Sequence, residues 1–290
     1  MHKITWAGII SILLIISACQ KTDEPATFGQ IAFEVHHEVD GENLNTDALI
    51  YTNGAGNRYM VTEIHWFISN LTLIGADGSH TEMMESSEEN IFYIDTDIEE
   101  SWHIKANKPI PAGRYSGLRF TFGLDKTLNK SHRFVNPPES FMFWPTYLGG
   151  GYHYMKLNGK WINTLGKNEP FNFHLGIGQE YYEAGKTNED FYVFGRSDNY
   201  EHCEGYLPPE NLSPVIAFIH NNFTIELPLD FEVKSGQTTQ LDLVMQVEKW
   251  FNSRELYDHD QWGGAIMQQQ AAMEMGCRNG VEAFHLRRSN

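Results

Sequence analysis

Basic residues are scarce: 21 Lys and Arg stand against 38 Asp and Glu in 290 residues, a formal net charge of −17. That balance excludes a nucleic-acid binder, because phosphate backbones demand basic patches. It also argues against docking of the protein surface on anionic lipid headgroups. Cysteine is nearly absent, with three in the chain and no C-x-x-C pair, so thiolate zinc or iron–sulfur sites are not expected. No G-x-S-x-G elbow, H-E-x-x-H pair or phosphate-cradling glycine loop occurs, and an enzyme is not expected. The run Gly149-Gly150-Gly151 leads into a strand-like pattern rather than a helix and reads as a tight turn or close backbone packing. Beyond the first 18 residues no apolar run reaches the ~20 residues that span a bilayer.

What is present begins at the N-terminus. Lys3 precedes the mostly apolar stretch Ile4 to Ile16, and the small residues Ser17 and Ala18 precede Cys19. That order is a secretory signal over residues 1–18. Ile16-Ser17-Ala18-Cys19 resembles a bacterial lipobox, which makes Cys19 the lipid-bearing first residue of the mature chain. Polar residues 19–28, with Pro25, read as a tether. The expectation is a cell-envelope protein on the outer membrane, periplasmic or surface-facing, held by its N-terminal lipid. In such an oxidising compartment Cys203 and Cys277 are expected to form a disulfide, two unrelated buried thiols being the alternative.

The aromatic share is 13%, and period-two alternation recurs. Phe33, Val35, His37 and Val39 share one face of a strand that Asp40-Gly41 closes. Further strands are expected at 59–73, 115–122, 152–157, 170–175, 223–229 and 239–247, and a loop at 129–140. Residues 264–276 carry helical spacing. The expected fold is all-β, an antiparallel sandwich or barrel-like domain over 29–250, followed by a 251–290 extension with a short helix.

The 13 histidines are the composition feature most worth following. His37 lies on an apolar strand face, where it needs hydrogen-bond partners. Parity sets His153 beside Met155 and Leu157, and sets His174 opposite Phe173. A single buried histidine is ordinarily a hydrogen-bonded core residue, but imidazoles from neighbouring strands also bind copper and zinc.

Six blocks occur in fixed order: Phe33 to Gly41, Val61 to Asn70, Ala112 to Gly123, Met142-Phe143-Trp144-Pro145, Gly151 to Leu157 and Phe173-His174-Leu175-Gly176. This series resembles the MbnP-like family of secreted copper-binding proteins over roughly residues 29 to 250. The resemblance implies an all-β domain holding copper through histidines, with His37, His153 and His174 in the matching blocks. It also implies a partner similar to the di-haem cytochrome c peroxidases, which in some members oxidises a tryptophan to a metal-binding kynurenine. The chain departs from the pattern in having no Trp-x-His or His-x-Trp, and Thr146 stands where many members carry a second tryptophan. Two functions follow as expectations. One is a lipid-anchored copper-sequestering or copper-delivering protein with His37, His153 and His174 around one ion, Met142, Met155 or Glu63 standing in for a missing ligand. The other is a metal-free β-sandwich surface interaction module.

Overall fold

The computed structural model describes residues 27–181, 196–197 and 215–289. Its principal strands are β1 (Phe28–Val39), β2 (Arg58–Gly75), β3 (Ile91–Asp95), β4 (Gly113–Phe122), β5 (Met155–Ile162), β6 (Asn168–Leu175), β7 (Ile177–Tyr181), β8 (Val215–His220), β9 (Phe223–Val233), β10 (Thr238–Gln246) and β11 (Phe284–Arg288). Two short helices, α1 (His259–Trp262) and α2 (Gln270–Gly280), lie near the C-terminus.

Two sheets pack face to face, as alternating apolar strands require if each is to bury one face. The larger has the order β6-β5-β2-β4-β9, with β3 also on β2. The other contains β11-β10-β1. Alternation in β1 buries Ile31, Phe33 and Val35, and the same period buries Leu157, Phe173 and Phe122 from the larger sheet. The layers meet through aromatic contacts, such as Trp66 with Phe284 at 5.3 Å between centroids. A third small sheet joins β7, β8 and residues 196–197.

The all-β sandwich with short C-terminal helices is as the alternation indicates. Among the paired strands of the described residues, β1 runs parallel to β10, with Phe33 opposite Leu241 and His37 opposite Met245. Residues after 250 are woven into the sandwich. Trp250, Phe251, Tyr257, Ile266 and Met273 are core residues, and β11 adds a strand antiparallel to β10. The helix starts later than its pattern suggested, at Gln270, and ends at Gly280.

The feature that builds the site is the connection between β4 and β5. Its Phe143–Tyr152 bridge and the three left-handed residues Gly149, Gly150 and Gly151 (φ 116°, 67° and 74°) fold it back on itself, a conformation only glycine adopts freely. A Cβ on Gly151 would meet Asn129 Oδ1 at 2.4 Å. The glycine run is therefore both a tight turn and a close approach.

Candidate metal centre

β6, β5 and β2 pair in register, so side chains across them share a face. Leu175, Met155 and Trp66 form one row, pointing inward, and His174, Lys156 and His65 form the next, pointing to the opposite face. Parity thus sets His174 opposite Phe173, as expected, on the outer face of the larger sheet. His153 precedes β5 rather than belonging to it. Strand parity does not govern it, and it does not share the inward face of Met155. Its backbone N–H and its ring Nδ1 both bond the Met142 carbonyl, at 2.6 and 2.9 Å.

His153 and His174 meet edge to face, with ring centroids 5.0 Å apart. The buried Trp144 lies edge-on to His153 at 4.6 Å and donates its indole N–H to the Leu148 carbonyl at 3.0 Å. Gly176 makes room for that indole, since a Cβ there would meet the Trp144 ring at 2.6 Å.

The hydrogen bonds fix both tautomers. A carbonyl oxygen only accepts, so His153 Nδ1 carries the proton and Nε2 keeps its lone pair. His174 Nε2 contacts Asn158 Oδ1 at 2.7 Å, and Asn158 Nδ2 donates to Glu63 Oε1 at 2.6 Å. The amide oxygen therefore faces His174, so Nε2 donates and Nδ1 is bare. His153 Nε2 and His174 Nδ1 are both buried without a hydrogen-bond partner. Two unpaired imidazole lone pairs on adjacent rings leave desolvation uncompensated, and a cation is what such a pair can accept. Burial holds the His174 pKa down to about 3, aided by the Lys156 ammonium and His65. Burial, then His174 and Lys156, keep that of His153 well below the ordinary histidine value. Both rings are thus neutral, the form that ligates.

His37 is elsewhere. It points between the sheets, and its Nε2 accepts the Trp66 indole N–H at 3.0 Å. Trp66 belongs to the inward row of the larger sheet, so His37, on β1 of the facing sheet, and His174 lie on opposite sides of the larger sheet. The expectation that His37, His153 and His174 surround one ion is corrected: the structure joins the last two only. The lone pair that would make His37 a ligand is engaged by Trp66, and burial lowers its pKa to about 4. Met155 also faces inward, and Glu63 is engaged by Asn158. Among the described residues no group of three His, Cys, Asp or Glu side chains converges. Cys277 Sγ donates to the Asn221 carbonyl at 3.2 Å; Cys203 and Cys19 lie outside the described residues.

Sequence reasoning missed the Asn158–Glu63 support of His174. Asn158 shares the outward parity of Lys156, and that polar face was the available signal.

The sequence profile of the MbnP family matches residues 28–268. The chain belongs to the MbnP family. No curated protein sequence matches it significantly. The fold of this family member is similar to that of MbnP from Methylosinus trichosporium, with a TM-score of 0.56 and 14% identity. The superposition covers 91% of this chain and 99% of that one. Among its described residues, no helix of this MbnP family member is long and apolar enough to cross a membrane.

Proposed function

We propose that this chain is a lipid-anchored envelope protein that holds copper through His153 Nε2 and His174 Nδ1, sequestering or delivering the metal. The observation that carries the reading is the adjacency of two neutral imidazoles, His153 buried and His174 half-buried, whose bare nitrogens are themselves buried with no protein partner. Imidazole suits copper, and a two-nitrogen set suits the cuprous ion, which tolerates low coordination numbers. Bound there, copper would supply the cation these lone pairs lack. Lys156 opposes protonation of both rings, and its own ammonium is held by the Phe141 carbonyl at 2.5 Å.

Family membership supports a copper role. A di-haem peroxidase-like partner belongs to the same reading, but the chain carries no Trp-x-His or His-x-Trp pair for conversion to a metal-binding kynurenine. The Ile16-Ser17-Ala18-Cys19 sequence supports the lipid anchor. Protein purified from its native envelope should contain one copper per chain, lost on His153→Gln or His174→Gln. A copper-free protein that also takes none from a cuprous donor would leave the surface-module reading instead.

A further inference from the structure

The row of polar groups behind His174 extends well past a single hydrogen bond. His174 meets Asn158 at 2.7 Å, and Asn158 meets Glu63 at 2.6 Å. The second oxygen of Glu63 lies 3.5 Å from His65 Nε2, which lies 3.6 Å from Asp95 Oδ1. Asp95 in turn accepts the Tyr93 hydroxyl at 2.6 Å. These residues come from four adjacent strands, β6, β5, β2 and β3. Asn158 stands opposite Glu63 at a register shift between Asn158 and Gly159. Such bulges re-aim a side chain.

We propose that Asn158, oriented by Glu63, is a positioning residue that fixes His174 as its Nε2–H tautomer and keeps the Nδ1 lone pair bare beside His153. A carboxylate accepts only, so Glu63 requires the amide nitrogen of Asn158 on its side. The amide oxygen must then face His174, and an oxygen there requires a proton on Nε2. Reversing the amide would set its oxygen against the Glu63 carboxylate, two acceptors facing each other. His65 Nε2 stands between Glu63 and Asp95 on the far side of the carboxylate, at 3.5 and 3.6 Å. The consequence for metal binding rests on the reading of His153 and His174 as ligands, whereas the tautomer is a property of the metal-free protein. Outer partners that set the tautomer and orientation of a ligating histidine typically change metal affinity ~10–100-fold.

Long-range 1H–15N correlation spectra of the metal-free full chain, with His174 assigned by His174→Gln, show which ring nitrogen carries the proton. The wild type should show Nε2–H alone. Asn158→Leu, which removes the acceptor, should give the Nδ1–H form or an exchanging mixture and weaken cuprous binding ~10–100-fold. The double variant Glu63→Gln with Asn158→Asp keeps a donor facing an acceptor and should restore Nε2–H and the affinity, which a merely space-filling role would not do. A wild-type His174 protonated at Nδ1 would overturn the proposal, as would an unchanged tautomer in Asn158→Leu. Nε2–H in the wild type, lost in Asn158→Leu but without copper uptake by any form, would uphold the assignment and sink the copper reading.

Discussion

His259 offers the sharpest stability prediction. It sits at the start of α1, 0% exposed, in a box formed by the rings of Phe171, Phe251, Tyr257, Trp161 and Tyr59 at centroid distances of 4.4 to 6.1 Å. Both ring nitrogens lack a hydrogen-bond partner. The flanking carboxylates are engaged elsewhere, Asp258 by Asn57 and the Asp260 amide, Asp260 by Asn57 and Trp161. Burial lowers the His259 pKa to about 4 despite those two charges. The unfolded chain, with an ordinary histidine pKa near 6.5, therefore binds more protons between those values. Stability from this residue is full above about pH 6.5 and falls as pH drops toward 4. By linkage the loss at about pH 5 is about 2 kcal/mol for this one residue. His259→Phe removes that term. It also removes two unpartnered polar atoms, each costing ~1–3 kcal/mol, against an overpacking penalty of similar size. Those last two contributions do not depend on pH. Urea melts of wild type and variant at about pH 8 and about pH 5 isolate the first, since the other depressed histidines contribute to both proteins alike. The variant should gain about 2 kcal/mol on the wild type between the two conditions. An equal stability difference at both would refute the buried, neutral His259.

Trp66→Phe leaves His37 Nε2 buried without its donor, and urea melts should show a loss of ~1–3 kcal/mol beyond that from His37→Phe combined with Trp66→Phe. Gly176→Ala drives a methyl into the Trp144 ring, so thermal melts should show ~1–3 kcal/mol of destabilisation; near-ultraviolet dichroism should report the displaced indole. Mass spectrometry of the native N-terminal peptide should find Cys19 lipidated, and a mature chain beginning elsewhere with unmodified Cys19 would remove the anchor.

The sandwich was legible because its strands bury one face in water-facing sheets, and Phe33, Val35, Leu118 and Phe120 print that period directly into the chain. The parallel β1–β10 pairing left no such mark, since alternation reports a buried face and not a neighbour's direction. His174 was legible in part: parity gave its outward face, while the connection that half-covers it, through His153, comes from outside its own strand. The alternation of β5 starts at Met155 and does not reach His153, two residues earlier, whose direction Met142 sets. His37 carries the alternation of a core residue, and Trp66 makes it one. Only the fold could reveal that partner. Asn158 and Glu63 meet through sheet register, which no local pattern encodes.

The central claim is that His153 and His174, without His37, hold one copper. Elemental analysis after chelator treatment and reloading from a cuprous donor compares the wild type with His153→Gln, His174→Gln and His37→Gln, the last keeping an acceptor for Trp66. One copper per chain is expected in the wild type and in His37→Gln, and none in the other two. Copper absent from the wild type, or lost from His37→Gln while His153→Gln and His174→Gln retain it, would contradict the account.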